Sequence, residues 1–440
     1  MNRVHIDINT INIDNIDTNN IDTNNIDTIN TIKNTINKCN TFTKVDRIEL
    51  KNSLKNLIKN YILENILDIS CPYFDKKLDE YITDIFITQL SQLYNKSIWY
   101  RIRRKIKYLI NTTKKELYNI VIPPRSYKDS FIRNIRFNKE QLEEKITILQ
   151  NLPQPTQRTE EWYLYRHNLL TASSIWKAFG TQSSQNQLIY EKCSPFILYK
   201  PASINSPLHW GQKYEPVSIE FYKKMYNTEI TDFGCIKHPK YYYIGASPDG
   251  INTDPTNLRY GRMLEIKNIV NREINGIPKM EYWIQMQVQM ETCDLNECDF
   301  LETKFVEYNS EDEFLADGTF THTEDGKLKG IMMLFTLDNN LYYEYAPLYI
   351  SKEDYTKWDE SIMNKNRESD WIQTIYWKLE KYSNVLVLRN KLWFNSVLPK
   401  ITDIWNIIEK ERESGCEHRA PKKRKSNATE LVVRKCHIKI

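Results

Sequence analysis

Apolar residues recur at three- and four-residue spacings over 45–67, at Ile48, Leu54, Leu57, Ile58, Ile62 and Ile66. This period predicts an amphipathic helix, and the pattern continues over 82–94. Over 96–110, Ile98, Ile102, Ile106, Leu109 and Ile110 share one helical face, while Arg101, Arg103, Arg104, Lys105 and Lys107 crowd the others. Such a face either contacts phosphates or is the solvated side of an ordinary amphipathic helix, and the pattern leaves both readings open. Pro123 and Pro124 break the chain, a helix follows over 138–152, and Pro153-Gln154-Pro155 reads as a linker.

From 156 to 350 helical and strand-like periods alternate. Helix, turn and helix are expected over 160–179, with Thr171, Ala172, Ser173 and Ser174 supplying an N-cap. A helix is expected over 208–226, two strands over 230–246 and a strand over 263–269. A helix over 282–293 and strands over 299–308 and 330–349 complete the unit, the last broken at Asp338-Asn339-Asn340. Residues 351–413 read as helices rich in tryptophan (Trp358, Trp371, Trp377, Trp393, Trp405), whose rings are expected in the core.

The two ends differ from this. Residues 1–43 are low-complexity, with Ile-Asp-Thr-Asn-Asn at 16–20 and again at 21–25. A five-residue period suits neither helix nor strand, so a disordered tail is expected. Residues 414–440 form a basic tail whose Pro421-Lys422-Lys423-Arg424-Lys425 resembles a nuclear-import signal. Five segments follow: tail 1–43, helical and partly basic 44–152, α/β core 156–350, helical 351–413, and basic tail 414–440.

Composition changes this picture little. Basic and acidic residues nearly balance, 61 against 57, so net charge alone does not indicate a polyanionic partner. Eight cysteines are scattered without a C-x-x-C pair, which argues against structural zinc and for a reducing compartment. No apolar run approaches the ~18 residues of a membrane span. A soluble, intracellular protein is expected.

Candidate chemistry centres on 247–267. Asp249 sits in Ser247-Pro248-Asp249-Gly250, expected to be a turn, and Leu264-Glu265-Ile266-Lys267 follows on a strand. Alternation places Glu265 and Lys267 on one face and Ile266 on the other. Two carboxylates beside an ammonium suit Mg²⁺ or Mn²⁺, with the lysine orienting or deprotonating a water or neutralising a phosphate. By themselves these residues make only a weak signal, because E-x-K strands and Pro-Asp-Gly turns are common.

Several motifs in the same order resemble the phage lambda exonuclease and YqaJ viral-recombinase branch of the PD-(D/E)xK nuclease superfamily. They are Trp162-x-x-x-Arg166 with Leu170-Thr171-Ala172-Ser173, Trp210-Gly211-Gln212-Lys213-Tyr214-Glu215, Ser247-Pro248-Asp249-Gly250, Leu264-Glu265-Ile266-Lys267, and Tyr282-Trp283-Ile284-Gln285-Met286-Gln287. The resemblance implies a restriction-endonuclease-like α/β core, a central mixed sheet flanked by helices, with added N- and C-terminal helical regions. It implies two Mg²⁺ or Mn²⁺ ions held by Glu215, Asp249, Glu265 and the Ile266 carbonyl, with Lys267 and Gln285 assisting. Arg166 and Ser173 would contact a 5′-phosphate, joined by Ser247 and, with a poorer motif match, Arg272.

The function so implied is 5′-to-3′ exonuclease action on duplex DNA ends in viral recombination or repair. A structure-specific endonuclease and a non-catalytic DNA-binding protein are the alternatives. Implied partners are double-stranded DNA, a single-strand annealing protein and further copies of the chain in a trimer, with no membrane. The setting would be the host cytoplasm, a viral factory or, through 421–425, the host nucleus.

Overall fold

The computed structural model describes residues 44–88, 91, 96–133, 138–196, 203–204, 206–338 and 340–421. The tail 1–43 and the basic run 422–425 lie outside the described residues.

The chain begins with helices α1 (Lys44–Glu64), α2 (Phe74–Ile82), α3 (Lys96–Ile120) and α4 (Lys139–Asn151). Leu50, Leu54, Ile58 and Ile62 of α1 are buried, as are Ile102, Ile106, Leu109 and Ile110 of α3, so most of each apolar stripe is consumed by packing, while Ile48 stays exposed. Asn138 caps α4 by accepting from the backbone N–H of Gln141 at 3.3 Å. Next come α5 (Glu160–His167), β1 (Leu170–Thr171), α6 (Gln182–Cys193) and α7 (Pro207–Tyr226). Short strands β2 (Ile230–Thr231), β3 (Ile236–Lys237), β4 (Ile244–Ala246) and β5 (Gly250–Asn252) lead to β6 (Met263–Asn268). Then follow α8 (Met280–Thr292), β7 (Glu297–Glu307), α9 (Glu311–Ala316), β8 (Lys329–Leu337), β9 (Asn340–Tyr345), α10 (Lys352–Lys365), β10 (Asp370–Leu388) and α11 (Lys391–Ser414).

The main sheet has seven strands in the order β2-β5-β6-β7-β10-β8-β9, and β1-β4-β3 form a small second sheet. Within the main sheet only β6 and β7 run parallel. A parallel pair needs a crossover, and α8 supplies it, which brings that helix over the middle of the sheet. The fold is thus the expected mixed sheet flanked by helices.

Four expectations need correction. Helices were expected throughout 351–413, but Asp370–Leu388 is a strand of 19 residues between β7 and β8. Its Val385, Leu386 and Val387 are buried, so tertiary pairing decides the segment. The boundary at 350 therefore cuts through one sheet. Of the tryptophans there, Trp377, Trp393 and Trp405 are core, whereas Trp371 is 49 % exposed. Second, 230–246 holds three short strands rather than two. Third, the helix after Leu170-Thr171 is a 3₁₀ turn (Ile175–Phe179) without a side-chain cap, and Leu170-Thr171 pairs in parallel with Ile244 and Gly245. The capping threonine is Thr159, which accepts from Trp162 N–H at 3.2 Å and starts α5. Fourth, Pro248-Asp249 is a bend where the chain leaves one sheet for the other, and Gly250 already belongs to β5. Glycine is required there by close approach, since a Cβ would lie 2.2 Å from Ile230 Cγ2.

The N-terminal helices share the core of the sheet region. Leu54, Ile58 and Phe74 belong to one buried cluster with Trp283, Trp393 and Trp405. Arg125 is buried with its guanidinium donating to the Ser70 carbonyl at 2.9 and 3.1 Å, and its own carbonyl accepts from Trp283 Nε1 at 2.8 Å. A chain ending at residue 350 would strip β7 and β8 of their shared partner. We expect it to show no cooperative thermal transition by circular dichroism, and a cooperative melt from that fragment would show β10 to be dispensable.

Candidate active site

The β5–β6 hairpin forms as the alternation requires, with Gly250 opposite Leu264 and Ile251 opposite Met263. Beyond the end of β5 the Asp249 side chain continues the ladder: its Oδ2 accepts from the backbone N–H of Ile266 at 2.7 Å. N–H and C=O of one strand residue point to the same side, so the Ile266 carbonyl faces Asp249 as well. The Ile266 side chain is buried with Leu264, Leu301 and Tyr222 on the opposite face of the sheet. Glu265, fully buried, pairs with the Lys267 ammonium through Oε1 and accepts from Gln289 Nε2 at 2.7 Å through Oε2.

Glu215 reaches this centre from α7. Helix α7 is fixed to the end of β6 by Asn268, whose amide donates to the Gly211 carbonyl at 2.8 Å and whose Oδ1 accepts from Ser218 at 2.7 Å. The Glu215 carboxylate is engaged by Arg158 at 2.7 Å. Burial raises the pKa of Glu215, and Glu265 adds to the rise while Arg158 and Lys267 oppose it. Burial likewise lifts Asp249 well above the usual carboxylate range, with Glu265 next in effect. For Lys267, burial works against the charge, but Glu265 and Asp249 outweigh it and the ammonium is held above its ordinary pKa. Glu215 and Asp249, whose negative charge is costly here, form with Glu265 a donor set suited to hard cations. Among the described residues no group of three such side chains closes into a metal cage. Instead Arg158, Lys267, Gln289 and the Ile266 N–H occupy the carboxylate oxygens.

A second cluster adjoins the first through Ser247. Its Oγ accepts from Arg166 Nη1 at 3.0 Å and from Trp162 Nε1 at 3.3 Å. Arg166 Nη2 donates to Ser173 Oγ at 2.9 Å, and the guanidinium lies 4.2 Å from the Trp162 ring centre. Gln289 Nε2 also lies 3.3 Å from the Ser247 carbonyl, so one amide spans both clusters. Among the described residues Arg166 has no carboxylate partner, while Ser173 is exposed. A half-buried guanidinium held only by hydroxyls is suited to an anion with a planar pair of oxygens.

Two expected residues are placed differently. Gln285, one turn before Gln289 on the same face of α8, is buried and makes no hydrogen bond to Lys267; the glutamine on Glu265 is Gln289. Arg272 pairs with the buried Glu302 rather than joining Arg166, Ser173 and Ser247, and lies 5.7 Å from the Tyr282 ring. Lys267 and Lys279 also flank that ring, at 5.2 and 6.0 Å.

Residues missed in the sequence are Arg158, Gln157, Gln289 and Lys192. Arg158 adopts a left-handed backbone (φ 68°), a strained state for arginine. Beside it the Gln157 amide donates to Asp232 at 2.9 Å, to Phe233 O at 2.8 Å and to Pro248 O at 3.2 Å. The Gln-Arg-Thr run just before Trp162 carried no periodic signal, but Gln289 stood at i+4 from Gln285 and could have been found.

Lys192 supports the second cluster from behind, donating to the Arg166 carbonyl at 2.7 Å. Burial, then Arg166, pulls its pKa from 10.5 to about 7. The unfolded chain holds this proton up to the higher value, so unfolding takes up a proton between the two. Stability therefore rises as pH goes from about 7 to 10.5 and is level below that window, by up to about 1.4 kcal/mol per pH unit. In Lys192→Met, urea unfolding at a series of pH values should lose this slope; an unchanged slope would show that Lys192 keeps its charge in the fold.

Comparison with known proteins adds the following. An uncharacterized protein of Acanthamoeba polyphaga mimivirus is 27 % identical over 446 residues, covering 86 % of this chain and 79 % of that protein. The alkaline exonuclease LHK-Exo of Laribacter hongkongensis is 19 % identical with a TM-score of 0.33, covering 58 % of this chain and 95 % of its own. A phage related exonuclease from Haemophilus somnus is 11 % identical with a TM-score of 0.32, covering 57 % of this chain and 96 % of its own. The resemblance carried by the motifs from Trp162 to Gln287 is borne out: residues 161–296 match the family model of the YqaJ-like viral recombinase domain.

Proposed function

We propose that this protein is a metal-dependent DNA nuclease, acting 5′-to-3′ from duplex ends during viral DNA recombination. The observation that carries the reading is the junction at Ser247. Its hydroxyl belongs to the Arg166–Ser173 anion cluster, its carbonyl contacts the Gln289 amide that bonds Glu265, and Asp249 lies two residues on. The match of residues 161–296 to a viral recombinase domain supports it.

In this reading Asp249, Glu265, the Ile266 carbonyl and Glu215 would hold two Mg²⁺ or Mn²⁺ ions. Such ions supply a water made nucleophilic near neutral pH and charge neutralisation at the phosphate. The rest falls to the chain. The Ile266 N–H and Gln289 fix the orientations of Asp249 and Glu265. Lys267, held above its ordinary pKa, keeps its proton at neutral pH and donates to the phosphate or the water rather than acting as a base. In this reading Gln285, one turn from Gln289 on α8, would add a contact to the phosphate. Arg166, Ser173 and Ser247 grip the terminal phosphate, which sets where the strand stops.

Timed digestion of end-labelled linear duplexes in Mg²⁺, with and without a 5′-phosphate and beside a closed circle, tests this. Asp249→Asn should lower cleavage by more than about 100-fold, since even groups that only support metal ligands are worth 10–100-fold. Arg166→Ala should keep cleavage but lose the preference for 5′-phosphorylated ends. Cleavage of the circle at the linear rate would favour the endonuclease reading, and an Asp249→Asn protein as active as the parent would sink the metal site.

Arg158 competes for Glu215 in this geometry. Arg158→Ala should bind Mn²⁺ several-fold more tightly by calorimetry, with no DNA present; equal or weaker binding would show that Arg158 does not compete.

A further inference from the structure

Helix α3 carries a feature that the catalytic centre does not use. From Lys96 to Lys115 the chain has eight basic residues and no acidic one. α3 holds one acid in all, Glu116, whereas α4 combines Lys139 and Lys145 with Glu140, Glu143 and Glu144, and α10 alternates lysines with acids. A helix charged only for solvation has no reason to exclude acids, because like charges three and four positions apart repel.

The placement of the side chains sharpens this. Tyr100, Arg104, Lys107, Tyr108, Asn111 and Lys115 are separated by 4, 3, 1, 3 and 4 residues, the spacing of a single helical face. Tyr100 is 80 % exposed and Tyr108 62 %, and Arg104, Lys107 and Lys115 are exposed. Among the described residues none of these three cations has an ion-pair partner. Glu116, the one acid of α3 itself, is engaged by Lys51 and Lys55, and Asp79 of α2 by Lys114. The opposite face, Ile102, Ile106, Leu109 and Ile110, is buried in the core. The helix therefore has no apolar face left to insert into a membrane surface.

Cations in a row interleaved with exposed aromatic rings are what a single nucleic-acid strand requires: charges for the backbone and flat faces on which unpaired bases stack. We propose that the outer face of α3 is a landing surface for single-stranded DNA, separate from the catalytic centre. It rests on the nuclease reading only for its biological use, as a hold on the strand that digestion leaves behind.

The test uses the full chain in EDTA, so that binding is read without cleavage. Anisotropy with a labelled single-stranded 40-mer is measured against salt. In Arg104→Ser/Lys107→Ser/Lys115→Ser, affinity should fall about tenfold or more. The slope of log affinity against log salt should shrink by about 2, at roughly 0.7 for each phosphate no longer neutralised. The equal-charge control Lys352→Ser/Lys357→Ser/Lys365→Ser should leave both unchanged. Tyr100→Ser/Tyr108→Ser should weaken single-strand binding and spare duplex binding. Parent-like affinity and slope in the first triple variant, or an equal drop in the control, would overturn the proposal. So would a tyrosine variant that binds the single strand like the parent. Digestion by the parent in Mg²⁺ reports separately on the nuclease reading, so the two failures are distinguishable.

Discussion

The bond from the Ile266 N–H to the Asp249 carboxylate is the constraint on which the centre depends. At that point the chain has left the small sheet and not yet joined the large one, and no backbone partner serves Ile266 on that side. A side-chain oxygen stands in for the missing strand. The cost of holding a carboxylate in so dry a place is offset in part by the nearby Lys267 and by a backbone donor. The same bond ties the segment between the two sheets to β6. It therefore also fixes Ser247, two residues back, relative to Glu265.

The site is thus built from pieces of unequal origin. Asp249 and Glu265 come from one hairpin, and Glu215 from a helix on the other face of the sheet, tied to β6 through Asn268 and Ser218. The anion cluster comes from α5 and the segment after β1. Behind it stand Lys192 of α6 and Arg412 of α11, which donates to the Lys192 carbonyl at 3.0 Å. The C-terminal helix therefore bears on the position of Arg166 without touching it.

Much of this was legible in the residues. The Glu265–Lys267 pair follows from alternation, and the helices holding Glu215 and Gln285 follow from periodicity. Leu54, Leu57, Ile58 and Ile62 of α1 and Ile102, Ile106, Leu109 and Ile110 of α3 are buried as their spacing predicts, whereas Ile48 is exposed. What was not legible depends on partners distant in the chain. Trp371, Trp377, Tyr382 and Val385 lie in a segment whose local pattern does not exclude helix, and only pairing with β7 and β8 makes it a strand. Ion pairs such as Arg158–Glu215 and Arg272–Glu302 have no local signature, because the backbone turn or loop that aims each arginine is set by contacts elsewhere.

The position of β10 also sets an order of events during synthesis. β7 is finished at Glu307, yet the strand that covers its free side ends only at Leu388, after α10 has been made. A nascent chain emerging residue by residue holds β6 and β7 as a short parallel pair with one open edge until then, the kind of edge that invites wrong pairing. That exposed edge, and not any local weakness of β6 or β7, is the consequence of placing their partner strand so late in the chain.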